Sequence, residues 1–209
     1  MFYGLKMPIR CKEEAERVLG DHFDVLAAIV LESVQFYYEF YGERAHTHES
    51  WTRCSIIRDE IKERLTAYSE ATKGFHRLTD GNATFFGAFS KFTIRIKKLS
   101  DELYANTGKT QYSLAFDRQE PVQADLFSDG VLTHLYLGYV ATENDPLNPP
   151  IYLVCNDEAG EVAWNIPLTR RAPAPGAVVT PLPSSAPTPD APRRVRAKPD
   201  VAKKKAENE

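Results

Sequence analysis

Arg95-Ile96-Lys97-Lys98 is the segment whose residue types and spacing could do chemistry. In an extended chain side chains alternate, so Arg95 and Lys97 share a face with Thr93 while Phe92, Ile94 and Ile96 take the opposite one. A cationic, wet face of an antiparallel sheet can grip a phosphodiester backbone, with aromatics such as Phe86 and Tyr136 close by. The competing reading is a solvated strand whose charges discourage edge pairing. His76, Arg77 and His134 also fall in expected strands, where a neutral imidazole beside a cation could serve as acid or base, or could be structural. The candidate nucleic-acid contacts are therefore Arg95, Lys97, Lys98, His76 and Arg77. Arg193, Arg194, Arg196, Lys203, Lys204 and Lys205 are candidate tail contacts that would add a salt-sensitive hold on phosphates; the alternative is a solubilising tail or a counterion for the acidic body.

Other chemistries lack a pattern. His46-x-His48-Glu49 has no third ligand at a recognisable zinc spacing and reads as a loop, so no metal is expected. Cys11, Cys54 and Cys155 are odd in number and scattered, giving neither a disulfide framework nor a Cys-x-x-Cys pair. There is no His-Glu-x-x-His, no glycine-rich phosphate cradle, no Gly-x-Ser-x-Gly elbow and no acidic pair near a Glu-x-Lys. No cofactor is expected, no catalytic residue is named, and whether the protein is an enzyme stays open.

These residues need a scaffold. Leu19, Phe23, Leu26, Val30, Val34, Tyr37 and Tyr41 recur at helical spacing and predict one long helix over 12–41, ended by Gly42. Trp51, Cys54, Ile57, Ile61, Leu65 and Tyr68 predict a second over 50–68, capped by Ser50, and the short connection predicts an antiparallel helical hairpin. After Gly74 the period falls to two. Strands are expected at 75–79, 83–89 and 92–99, turning at Asp80-Gly81-Asn82 and Ser90-Lys91. Residues 100–119 are ambiguous, with a helical turn around 101–106, a loop at 107–109 and a mixed segment over 112–119. A strand over 132–142, a proline-rich loop and a closing hairpin of 151–155 with 162–166 follow. Their inward sets are Leu135, Leu137 and Tyr139, Ile151 and Leu153, and Val162, Trp164 and Ile166. The expected class is α+β: an N-terminal helical hairpin, then a five- or six-stranded, mostly antiparallel sheet, in one domain over 1–168.

Residues 169–209 differ in kind. Eight of the 14 prolines lie beyond Arg170, apolar residues are sparse, and a disordered, Pro/Ala-rich basic tail is expected. From Arg170 onward there are 9 basic and 4 acidic residues, leaving 17 and 25 in the rest, so the tail carries +5 and the body −8. The longest apolar stretch, Val25 to Val34, is broken by Glu32 and is too short to span a bilayer. With no secretory pattern in Met1 to Arg10, no membrane association and a cytoplasmic location are expected.

The ordered strings Phe92-Thr-Ile-Arg-Ile-Lys-Lys-Leu99, Leu114-Ala-Phe-Asp-Arg-Gln119, Leu137-Gly-Tyr139 and Val162-Ala-Trp-Asn-Ile-Pro-Leu168 resemble a family of uncharacterised bacterial proteins, over about residues 46–168. Ser50 to Glu60 is similar to that family's second helix. The chain departs from the pattern at Ile96, where the family usually has phenylalanine, in the longer 144–150 loop, and in the tail. Members are commonly encoded beside a protein joining an Xre-type helix-turn-helix to an ImmA/IrrE-type zinc peptidase domain. The resemblance implies a cytoplasmic effector or toxin-like component of a toxin–antitoxin or phage-defence pair, held by that protein partner; the basic strand adds action on RNA or DNA through Arg95, Lys97 and Lys98. The alternative is a non-enzymatic module that binds nucleic acid or a regulator. A homodimer through Phe36, Tyr38 and Phe40 is a third expectation.

Overall fold

The structure is a computed structural model that describes residues 9–80, 83–105, 110–121 and 132–168. It is α+β: a helical N-terminal region followed by a six-stranded, mostly antiparallel sheet. The first expected helix is two, α1 (Lys12–Leu19) and α2 (Phe23–Tyr41), separated by a 3-10 turn at Gly20–His22. The break falls at Gly20-Asp21, both poor helix formers, where propensity competes with the apolar period. A second 3-10 segment, Gly42–Thr47, leads to α3 (Ser50–Ala71), whose N-cap is Glu49 rather than Ser50.

α2 and α3 run antiparallel. His22 Nδ1 lies 2.5 Å from the Tyr68 hydroxyl at one end, Arg64 donates to Glu32 at 3.0 Å in the middle, and Tyr37 and His48 share a 2.8 Å hydrogen bond at the connection. Tyr38 is half-buried against the main core, while Phe36 and Phe40 pack on each other with ring centroids 4.4 Å apart.

The strands are β1 (Phe75–Asp80), β2 (Ala83–Ala88), β3 (Phe92–Leu99), β4 (Thr133–Val140), β5 (Ile151–Asn156) and β6 (Val162–Pro167), paired in sequence order. The β1–β2 register places Asp80 opposite Ala83; Gly81 and Asn82 of the expected turn lie outside the described residues. The next turn is centred on Phe89 and Ser90, both at φ +53°, one residue earlier than the dipeptide expected, and Lys91 N–H donates to the Ala88 carbonyl at 3.1 Å. β3 and β4 run parallel over their whole length. A parallel pair needs a long crossover, and residues 100–132 supply it.

That crossover carries α4 (Gln111–Asp117), where only a mixed segment is expected, and between β3 and α4 it has an isolated bridge, Leu99 to Ala105, in place of the expected helical turn. The loop expected at 107–109 is outside the described residues.

One sheet face packs under α1–α3 and holds the main core, including Phe86, Phe92, Ile94, Ile96, Leu135, Leu137, Leu153 and Ile166. The other face is not wet. α4 lies over it, and Phe85, Leu99, Phe116, Tyr136, Val140 and Val154 form a second apolar cluster. Thr93, expected to be solvated, is fully buried. A register shift at Cys155/Asn156 turns Val162 to this second cluster, whereas Trp164 and Ile166 keep their expected side. Val154 and Cys155 are both fully buried although they point to opposite faces, which is what a doubly covered sheet requires.

Gly138 sits where β4 leaves no room for a side chain against β3. A Cβ there would sit 2.4 Å from the Lys97 carbonyl oxygen and 2.7 Å from Leu99 Cγ. Backbone cannot yield as a side chain can, so Gly138→Ala is expected to cost about 1–3 kcal/mol by overpacking. Chemical denaturation measures it, and a neutral variant would show the two strands free to separate.

At the end of the last described segment, Leu168 N–H donates to the Ile151 carbonyl at 2.8 Å. The tail, residues 169–209, lies outside the described residues, as do its candidate contacts Arg193, Arg194, Arg196, Lys203, Lys204 and Lys205. Among the described residues no helix is long and apolar enough to cross a membrane.

Candidate anion-binding cleft

The β2–β3 ladder is short. Pairing runs only from Ala88↔Phe92 to Phe86↔Ile94, although β2 begins at Ala83 and β3 continues to Leu99. Beyond Ile94 the two strands part, and a cleft of about 290 Å³ opens between them. α3 closes its third side.

Four cations line this cleft. Arg58 and Lys62, one helical turn apart on α3, come from one wall, and Arg95 and Lys97, two residues apart on β3, come from the other. Ala83, Thr84 and Ile96 complete the lining with one acid, Asp59, which Arg58 already engages at 3.1 Å.

Arg95 is the best-fixed cation. Its guanidinium lies over the Phe85 and Phe116 rings, 5.6 Å from each centroid, an arrangement that favours cations on aromatic faces. Its Nη1 is buried without a hydrogen-bond acceptor among the described residues.

Behind Arg95, the Tyr136 hydroxyl donates to Asp117 at the end of α4. Burial first, and then the Asp117 carboxylate, push the Tyr136 phenol well above its ordinary range, so it stays a donor. Gln119 continues the clamp: its side-chain N–H donates to the carbonyls of His134 and Asn156, at 2.9 and 3.0 Å, and its oxygen accepts from His134 N–H at 2.7 Å.

Lys97 carries an altered amine. Burial, followed by the Arg95 and Arg58 charges, lowers its pKa from 10.5 to about 8, against a smaller opposing pull from Asp117. The sign for stability follows from linkage. Below about pH 8 the amine is protonated in both folded and unfolded chains; between 8 and 10.5 only the unfolded chain keeps the proton, so stability rises with pH across that window. Lys97→Met is therefore expected to be more stable than wild type at neutral pH, with the gap closing toward pH 10. Urea titrations across that range test it, and a pH-independent gap would contradict it. Affinity for an anion should run the opposite way, falling as the amine loses its charge.

The structure brings Arg95 and Lys97 together as the alternation predicted. Lys98 points to the other face, into a separate cavity of about 30 Å³ beside Tyr38, Arg53, Cys54 and Tyr139. Exposed His76 lies across Gly87 on β1, and Arg77 is exposed on the opposite side of the same strand; neither lines the cleft. Phe86 belongs to the main core rather than to a binding face. His134 is buried and stacked on Phe116, with centroids 4.3 Å apart and planes 8° from parallel. Its Nδ1 is 3.2 Å from the Phe116 carbonyl, a structural placement. His46 is exposed, His48 is engaged by Tyr37, and among the described residues no three His, Cys, Asp or Glu side chains gather as a metal would need.

Sequence reasoning missed Arg58 and Lys62. Their i, i+4 spacing on the polar side of the second helix was visible, but nothing local says which strand lies beside that turn.

No family model matches this chain, and neither the curated proteins nor the solved structures contain a match to it.

Proposed function

We propose that the protein binds single-stranded nucleic acid through its phosphates, as the nucleic-acid-directed component of a cytoplasmic effector and partner pair. The observation that carries this reading is the convergence of Arg58, Lys62, Arg95 and Lys97 on one cleft. At about 290 Å³ and lined from two sides, the cleft suits a short stretch of one strand's backbone rather than a duplex. No exposed aromatic lines it, so it offers backbone contact without base stacking and without sequence preference. The body's charge of −8 opposes long-range attraction, which makes the hold local and strongly salt-dependent.

Anisotropy of a labelled single-stranded RNA or DNA across a salt series tests this. Engagement of three or four phosphates gives a log–log slope of about −2 to −3. A flat response, or equal affinity for a duplex, defeats the reading. The effector role rests on the family resemblance and on the cationic strand at Arg95–Lys98. Its test is growth on expression of the chain with and without the Xre/ImmA-IrrE-type neighbour: harmlessness in both cases, with no co-purification, removes it.

A further inference from the structure

We propose that Lys97 is a reactive amine that condenses with an aldehyde carried next to a phosphate, the three other cations of the cleft holding the phosphate while the Lys97 nitrogen reaches the carbonyl carbon. This rests on the reading of the cleft as a phosphate site.

Geometry places one half-buried primary amine among Arg58, Lys62 and Arg95, with Thr84 and Ile96 beside it and Asp59 taken up by Arg58. The charged groups facing it are those cations, Asp59 from α3 and Asp117 from α4. A lysine serves as nucleophile only when neutral, and desolvation beside other cations is a recognised way to make it so. With a pKa of about 8, Lys97 near pH 7.5 has a free-amine fraction roughly two-hundred-fold above that of an ordinary lysine. The cations that lower that pKa are also the groups that would hold a phosphate beside the carbonyl, so binding and activation share one cause.

The step balances without another reagent. The Lys97 lone pair attacks the carbonyl carbon and a C–N bond forms. The carbonyl oxygen leaves as water with the two amine hydrogens, and a C=N bond remains. The shared ligand chemistry has two sources: a small phosphorylated aldehyde, or an open-chain abasic sugar within a nucleic-acid strand.

The full chain is incubated near pH 7.5 with pyridoxal 5′-phosphate, with unphosphorylated pyridoxal, or with an oligonucleotide containing one abasic site, then reduced with borohydride and mapped by peptide mass spectrometry. Intact oligonucleotide binding is measured in parallel. The expected result is an adduct at Lys97 on the order of tenfold above Lys62, Lys91 or Lys98, suppressed by inorganic phosphate, weak with pyridoxal, and absent in Lys97→Arg. An adduct with the abasic strand identifies a nucleic-acid ligand, and one with pyridoxal phosphate alone a small molecule; both support the proposal. Label spread evenly over the lysines, or equal labelling by pyridoxal, overturns it, and does so on wild-type protein whether or not the variant folds. Intact-strand binding without an adduct defeats this proposal and leaves the function reading standing. A phosphate-protected adduct without strand binding does the reverse.

Discussion

Phe116→Ala is expected to lower folding stability by about 3–5 kcal/mol, the range for removing a fully buried phenylalanine. Phe116 is 0% exposed, stacks on His134 at 4.3 Å, and meets Tyr136 and Phe85 with centroids 5.1 and 5.6 Å away. It is the principal apolar anchor of α4, a helix of only seven residues that could not persist by itself in water. The lost ring leaves a cavity that the rigid strands β2 and β4 cannot collapse into. Arg95 also loses one of its two aromatic supports, so ligand affinity should fall with stability. Urea unfolding measures the first effect and strand binding in native conditions the second. A cost under about 1 kcal/mol would mean that the second sheet face is a loose cover rather than a packed core.

The double reversal Arg58→Glu with Lys62→Glu should leave folding nearly unchanged and remove most of the binding. Arg58 is exposed and Lys62 half-buried on α3, and Arg58's ion pair with Asp59 is solvent-exposed, a kind worth about 0–1 kcal/mol at most. In the cleft the same change takes two of four cations and replaces them with acids facing Arg95 and Lys97. Each lost phosphate contact should reduce the salt slope for a single strand by about 0.7, so the double variant flattens it by roughly 1.4. Loss of affinity on the order of a hundred-fold at low salt is the expected outcome. If affinity and slope both stay at wild-type values, the ligand does not enter between α3 and β3, and the cleft reading fails even if the protein binds nucleic acid elsewhere.

The contrast between these two variants reflects how differently the two halves of the site were legible. Arg95 and Lys97 could be paired from sequence because a strand's period of two is local. Their environment could not. The strand was expected to have one wet face, and the covering element, α4, comes from 111–117, where the apolar and polar residues fit no single period. Phe116 reads as one aromatic in an ambiguous stretch until the crossover folds it onto Phe85 and Tyr136. Lys98 shares the charge of Arg95 and Lys97, yet the pleat sends it to the opposite cavity.

By itself the sequence determined the class and most of its elements. Helix over 12–41, broken only at Gly20–His22, helix over 50–68, the switch to alternation after Gly74, and the closing hairpin are all present in the structure, because each depends on which residues along a short stretch must leave water together. Only the tertiary structure decided that β3 and β4 run parallel, that a helix seals the second face, and that β2 parts from β3 beside Arg58 and Lys62. Those outcomes depend on contacts between residues tens of positions apart, whose free energy is set by the shape and burial of the assembled layers and leaves no periodic mark on the chain.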